Sequence, residues 1–325
     1  MIKLLSETQV YAGRLKNRDE LIKSSSGGAF TALSDYFLNN GNGVVCSVYN
    51  YNNHRHEYRI LETVEERNLA RGSIYVQSIP GDVFRLSEEW LKNNPDKSLL
   101  FVGMGCQADG FRQFSEQKGF RDRVCIVDII CHGSPSPMLW KDYVRHLETQ
   151  KGKIEYLTFK DKRNGWRTPT AFAKINGQDI SIANYVNIFY NHCALRPSCY
   201  KCPYAKTERN TDITIGDFWH IEETIPDFYD TSGNSVFLIH TDKGENVFEQ
   251  IKNILEYRLS DTVQCRQDNL IAPTKRSPHR ERFWKDYQSK GIDYVIKKYG
   301  NAGLKHNIKN MLGGVKRRIK KIFNK

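Results

Sequence analysis

The sequence predicts an α/β protein, turning α+β in its second half, built on a partly parallel sheet with flanking helices, a cysteine-bearing loop region and a C-terminal helical tail. Three observations carry the fold class. Two short apolar runs rich in β-branched residues, "SLLFVG" and "VCIVDII", are each followed by a helical pattern. Strands and helices alternate through the first half, and after Lys153 the pattern changes to strands and loops. A chain of 325 residues with 39% apolar and 26% charged residues is long enough to bury one large core or two modest ones.

Taken in order, "MIKLLSETQVYAGRLKNRDE" has only two consecutive leucines before Ser6 and Glu7, too few for a signal-peptide core or a membrane span, so a cytoplasmic location is expected. Ser26 is expected to cap a helix over "GAFTALSDYFLNN" that Gly41 ends. Strands follow at "GVVCSVYN" and "HEYRILE", and residues 81–94 read as an amphipathic helix. "SLLFVG" then gives a buried strand turning through "MGCQ" into the helix "ADGFRQFSEQ"; "VCIVDII" gives a second, before the helix "SPMLWKDYVRHLE". Beyond these come strands at "KIEYLTFKD", "TAFAKI" and "DISIA", a helical "YVNIFYNH", strands at "DITIGDFW" and "SVFLIHT", and the helix "KGENVFEQIKNIL". Cys265 to Glu281 reads as a polar, arginine-rich loop ahead of the C-terminal helices.

The net charge is +12, and eight basic residues without an acid fall between Leu304 and Lys325. Without this stretch the chain is only mildly basic, so no nucleic acid is expected as a partner. Apolar residues from Leu304 to Phe323 recur at helical spacing, interrupted at Gly313 and Gly314. A basic amphipathic segment of this kind can lie on an anionic membrane, dock on a partner or be a plain solvated tail; peripheral contact with the inner face of the cell membrane through residues 303–325 is the favoured expectation.

Eight cysteines raise the question of a metal or a disulfide. Cytosolic thiols stay reduced, which disfavours disulfides. Cys46 and Cys125 sit in apolar runs and are expected in the core, and Cys265 has no ligand set around it. Cys106 and Cys131 each lie just past the carboxyl end of an apolar strand, the sheet edge where ligands bind in open α/β folds. Cys106 also falls at a helix N-terminus, where a thiolate is favoured. Cys199 and Cys202 in "CALRPSCYKCPYAK" complete a possible set of four. Zinc sites usually join two short knuckles, whereas iron–sulfur clusters tolerate scattered ligands and a proline after a Cys-x-x-Cys run. Residue types alone leave zinc, iron–sulfur and no metal open. No histidine follows Cys202, so covalent haem attachment is unsupported.

Three polar stretches are also candidates. "KSSSGGAFTAL" offers backbone N–H groups and hydroxyls that suit phosphate, or else an ordinary helix start; it matches neither the GxGxxG fingerprint nor a Walker loop. "FKDKRNGWRT" crowds Lys160, Lys162, Arg163 and Arg167 around Trp166, which suits an anionic ligand against an aromatic face or a solvated hairpin. "DITIGDFWH" ends a strand with Gly216, Asp217, Phe218 and Trp219; the glycine and the carboxylate can line a pocket, or simply turn the chain and cap a helix.

Together "SSSGGAFTAL", "GSIYVQS", "GCQADGFR", "VDIICHGSPSP", "FKDKRNGW", "RPSCYKCPYA", "TDITIGDFW" and "GNSVFLIHTDKG" occur in the order seen in the beta-subunit family of coenzyme F420 hydrogenases and dehydrogenases, which the chain resembles over residues 20–265. The resemblance implies a flavoprotein oxidoreductase that binds FAD and a 4Fe-4S cluster and passes electrons between a hydride carrier (the deazaflavin coenzyme, NAD(P)H or another) and a separate one-electron partner. It places Ser25, Ser26, Gly27 and Gly28 on the FAD phosphates, with Ser73, Tyr75, Trp166 and Asp217 in the flavin site, and makes Cys106, Cys131, Cys199 and Cys202 the cluster ligands. It divides the chain into a segment 1–19, family domains over 20–96 and 97–265, and C-terminal helices over 266–325. It also suggests a setting in exopolysaccharide or capsule synthesis. No catalytic acid or base is compulsory, His132 is expected to face solvent, and Cys193 is expected to pack. The chain departs from the family at Ile74, where a lysine is common, at Gly105, where a proline is common, and in having no cysteine before Cys46. A rival of another class is a non-enzymatic zinc-stabilised module binding RNA or an acidic partner.

Overall fold

In the computed structural model, which describes residues 2–300, the chain runs through β1 (Leu4–Leu15), α1 (Arg18–Lys23), α2 (Ala29–Asn39), β2 (Gly43–Asn50), β3 (Arg55–Leu61), α3 (Val64–Asn68), α4 (Val83–Asn93), β4 (Leu99–Met104), α5 (Gly105–Gln117), β5 (Val124–Ile129) and α6 (Pro137–Lys151). It continues through β6 (Ile154–Asp161), β7 (Thr170–Ile175), β8 (Gln178–Ser181), α7 (Ala183–Tyr190), β9 (Ile213–Asp217), α8 (Ile221–Thr224), β10 (Ser235–Thr241), α9 (Asp242–Ile251), β11 (Leu255–Ser260), α10 (Asp268–Ile271) and α11 (Arg280–Tyr299). The expected basic tail over residues 303–325 lies outside the described residues.

Eight strands form one sheet in the order β11-β1-β10-β9-β5-β4-β2-β3. The two apolar runs are its centre: β4 and β5 pair in parallel, flanked in parallel by β2 and β9, with antiparallel strands outside them on both sides. The expected α/β class with a partly parallel sheet is therefore what the chain adopts. Both faces of the central strands are covered, and the side-chain period of two sorts their residues. Leu100, Val102, Cys125 and Val127 pack under α2 and α9, while Leu99, Phe101, Val124 and Ile126 pack under α4 and α5. A smaller sheet, β6-β7-β8, packs with α6, α7 and α11 around Trp140, Tyr143, Tyr185 and Phe283. Among the described residues no helix is long and apolar enough to cross a membrane.

Two strands have no clear signal in the sequence. β1 lies between β10 and β11, and its first half, Leu4 to Gln9, is largely unburied, so only Val10, Ala12, Gly13 and Leu15 show the inward pattern. β11 follows α9 after a single 3₁₀ turn, and its "LEYRLS" buries only Leu255. The helix start also differs: Gly28, not Ser26, is the N-cap of α2, because the Ser26 hydroxyl is turned away to Asp217.

Phe101 joins the layers on the α4–α5 face, stacking on Tyr58 (centroids 5.3 Å apart) and on Phe111 (4.4 Å). Truncating it leaves a cavity in a fully packed core. Phe101→Ala is expected to cost about 3–5 kcal/mol of stability, read from the shift in chemical denaturation midpoint at unchanged slope.

Candidate functional site

Parallel pairing brings the carboxyl ends of β4, β5 and β9 side by side, with Met104 opposite Ile129 and Ile129 opposite Ile215. Two cavities open along this edge. The larger, of about 480 Å³, is lined by the Ser24–Ser26 turn, Gly28, the 70–76 segment, the ends of β5 and β9, and Trp219. The smaller, of about 90 Å³, is lined by Cys106, Cys131, Cys199 and Cys202.

The turn before α2 is fixed from below. Gly27 donates its N–H to Ser235 Oγ (2.8 Å), and a Cβ at Gly27 would collide with the Gly13 carbonyl and the Ser235 nitrogen, so only glycine lets the turn rest on β1 and β10. Ser26 donates its hydroxyl to Asp217 Oδ1 (2.5 Å). Asp217 also accepts from Trp166 Nε1 at Oδ1 (2.7 Å) and from Lys160 Nζ at Oδ2 (2.5 Å). Burial pushes this carboxyl up, but the Lys160 ammonium and the hydrogen bonds from Lys160, Ser26 and Trp166 outweigh it and hold it below the ordinary 3.8. Lys162 donates to the carbonyls of Leu21, Ser26 and Ser232, and burial lowers its ammonium to about 7. Lys160 and Lys162 of "FKDKRNGW" thus clamp the turn from inside the protein, while Arg163 stays exposed and pairs with Asp161 and Asp179.

The cavity walls are aromatic. Trp219 lines one side, stacked on Trp166 (5.4 Å, 10°) and carrying Lys160 Nζ over its ring at 4.9 Å. Tyr75 lines the other, stacked on Phe189 (4.5 Å, 11°) and hydrogen-bonded to Tyr190 (2.9 Å). Ser25 presents a buried hydroxyl with no partner among the described residues. Aromatic faces and an unsatisfied hydroxyl at a helix start suit the flat ring system and the anionic end of a flavin nucleotide.

Three segments supply the cysteines. Cys106 lies in the first turn of α5, and Cys131 follows β5 and accepts the Gly133 N–H at its sulfur (3.4 Å). Cys199 and Cys202 sit on and just after a 3₁₀ turn, Pro197–Lys201. That loop is tied back to the sheet edge by Arg196 N–H to Ser134 O (3.0 Å), by Tyr204 OH to Asp109 (2.9 Å), and by the buried Arg209–Asp128 ion pair. A Cβ at Gly105 would press on Tyr204 and Asp128, which is why a small residue precedes Cys106. Desolvation first, then the neighbouring Cys202 and Cys199, hold the Cys106 thiol above its ordinary value, outweighing the lowering by the backbone N–H groups of Cys106 and Gln107 at the helix start. Burial pushes Cys131 up to about 12, its three neighbours adding to the effect. Four thiols around one small cavity suit a cationic iron core that replaces their protons. Among the described residues no three Cys, His, Asp or Glu side chains group around a single ion.

The two cavities share a wall made of Met104, Cys131, His132, Gly133, Ser134 and Asn269. His132 does not face solvent as expected. Its Nε2 lies 2.6 Å from Nε2 of His192, and its Nδ1 lies 3.0 Å from Asn269 Oδ1. Asn269 in turn donates to Thr274, whose hydroxyl donates to the His132 carbonyl. With the Asn269 oxygen accepting from Nδ1, Nε2 is left to accept from His192; burial and the facing His192 lower the imidazole to about 4, so it stays neutral.

Of the residues the sequence suggests, Ser25, Ser26, Gly28, Ser73, Tyr75 and Asp217 line the large cavity and the four cysteines line the small one. Gly27 is packed beneath the turn, and Trp166 is fully buried behind Trp219, which takes the wall position. Trp219, Phe189, Arg71 and Asn269 join the lining without having been expected there. Trp219 and Arg71 stand inside or beside recognisable motifs, and the other two carry no local signal. Cys46 lines the large cavity from within the core, and Cys193 and Cys265 are buried.

A family model describing the C terminus of the coenzyme F420 hydrogenase/dehydrogenase beta subunit matches residues 96–264, more than half of the chain. Among solved structures, a chain of the F420-reducing [NiFe] hydrogenase complex from Methanosarcina barkeri shares the fold, with a TM-score of 0.53 at 15% identity, over 91% of this chain and 93% of that one. No curated protein sequence matches.

Replacing Asp217 by asparagine strands the buried Lys160 ammonium and should cost about 3–5 kcal/mol at neutral pH. Because the folded-state pKa is depressed, this contribution is present above pH about 4 and is lost as pH falls below it. Denaturation midpoints of wild type and Asp217→Asn should therefore converge in acid; a constant gap down to pH about 2 would contradict the assigned ion pair.

Proposed function

The chain belongs to the coenzyme F420 hydrogenase/dehydrogenase beta-subunit family, and from that premise we propose that it is an oxidoreductase holding FAD in the large cavity and a 4Fe-4S cluster in the small one. The observation that carries this reading is the shared wall: a four-cysteine cavity and a large aromatic-walled cavity meet along Cys131–Ser134. FAD supplies a two-electron acceptor of hydride that can release electrons singly, and the cluster supplies a one-electron carrier.

The protein's part is position and environment. Ser25, Ser26 and the start of α2 hold the phosphate end, while Trp219 and the Tyr75–Phe189 pair give flat walls against which a ring system is oriented. Cys106, Cys131, Cys199 and Cys202 hold the cluster, and the Tyr204–Asp109 and Arg209–Asp128 contacts keep the loop bearing the last two closed on the sheet edge. His132, neutral and bonded to His192 and Asn269, holds a proton at Nδ1 between the two sites without adding charge to either. The donor is a hydride carrier, deazaflavin or nicotinamide; the acceptor is a separate electron-transfer protein, in keeping with the hydrogenase assembly that houses the solved relative. A role in surface-polysaccharide synthesis is part of this proposal, and so is membrane contact through residues 303–325.

A zinc-stabilised module would put zinc on the same four cysteines and carry no flavin, so metal and flavin content separate the two readings. Protein purified without oxygen should carry one FAD and about four irons per chain with little zinc. Cys106→Ala and Cys199→Ala should each abolish the iron-linked absorbance while retaining most of the flavin. Zinc in place of iron, or no flavin, would overturn the proposal.

A further inference from the structure

The large cavity has a phosphate end whose charge the serine turn does not balance. Ser25, Ser26 and Gly28 offer hydroxyls and N–H groups, while Asp217 and Asp268 bring carboxylates to the lining. Among the lining residues Arg71 is the one arginine or lysine. Ile74 packs against the second core and offers no charge.

Arg71 is built into its place. Its side chain is only 9% exposed, and Nη2 pairs with Glu20 of α1, the helix that leads into the serine turn. Its Nε is buried with no partner among the described residues, as is the hydroxyl of Ser25. A guanidinium left with an unused buried donor costs stability unless a ligand accepts from it. One turn earlier Arg67, 1% exposed and paired with Asp35, likewise leaves Nε and Nη1 without partners among the described residues. Of the residues carrying these unpartnered donors, Ser25 and Arg71 line the cavity, Ser25 just before the uncapped start of α2.

We propose that Arg71 and Ser25 form a diphosphate subsite, Arg71 as the counter-cation and hydrogen-bond donor for the linkage between the two halves of the dinucleotide. This rests on the FAD reading above and adds the residue that neutralises its phosphates. Guanidinium is suited to the role because its charge does not titrate away on burial and its planar donors match phosphate oxygens. Glu20 holds the guanidinium through Nη2 and leaves Nε for the ligand.

The test uses the full chain stripped of flavin, in wild type, Arg71→Gln, Arg71→Lys and Ser25→Ala forms, titrated with FAD, with riboflavin and with inorganic pyrophosphate. Arg71→Gln should weaken FAD and pyrophosphate at least about tenfold and leave riboflavin, which has no phosphate, within about twofold. Arg71→Lys should recover part of the loss, and Ser25→Ala should weaken FAD by less than Arg71→Gln. Unchanged FAD affinity in Arg71→Gln would overturn the inference, as would equal losses of FAD and riboflavin, which would mark Arg71 as a strut acting through Glu20. Wild type that binds pyrophosphate in an Arg71-dependent way but no flavin would sink the FAD reading and leave the subsite standing. Flavin binding that ignores Arg71 would do the reverse.

Discussion

The Asp217 carboxylate is where four separate segments of the chain meet. The residue terminates β9, and its carboxylate accepts from Ser26 in the turn before α2, from Lys160 near the end of β6 and from Trp166 on the β6–β7 connection, while its backbone carbonyl accepts from Gln267 ahead of α10. A carboxylate this buried is tolerable only because three donors and one full positive charge converge on it. The same convergence fixes where the serine turn, the Trp219 wall and the smaller sheet stand relative to the parallel strands. Remove the charge pair and the cavity loses its geometry before it loses any ligand contact.

The second constraint is the parallel pairing of β4, β5 and β9. Because parallel neighbours end on the same edge, Cys106, Cys131 and Asp217 arrive at one rim from three distant stretches of sequence. The cysteine loop needs only short ties, at Ser134, Asp109 and Asp128, to close over that rim. Redox groups in two such cavities would be separated by a single strand-end segment, so the electron path would follow from topology alone. His132 stands in that segment, and its neutral imidazole is a consequence of burial and of the facing His192.

Much of this was legible in the sequence because it is local. "SLLFVG" and "VCIVDII" declare buried parallel strands, and cysteines just beyond them declare the edge. What was not legible depends on pairings that no local pattern carries. β1 is half exposed and is a strand because β10 and β11 border it. Ser26 has the residue type of a helix cap and instead bonds Asp217, 191 positions away. Trp166 and Trp219 look interchangeable until the fold buries one behind the other. Arg71 stands just before "GSIYVQS" and draws notice only when its unused donor and the cavity's lack of other cations are seen together. Ile74, where the resemblance leads one to expect a lysine, packs against the second core and lines the large cavity without a charge, and Arg71 lies three residues earlier.

The central claim is that two redox groups lie on either side of the Cys131–Ser134 wall. A crystal structure of the chain reconstituted without oxygen with iron, sulfide and FAD tests it most directly. The account predicts density for a four-iron cluster bonded to Cys106, Cys131, Cys199 and Cys202, with a flavin ring across the wall from it, between Trp219 and Tyr75. A single metal ion on some of these cysteines, or a flavin seated away from the β4–β5–β9 edge, would contradict it.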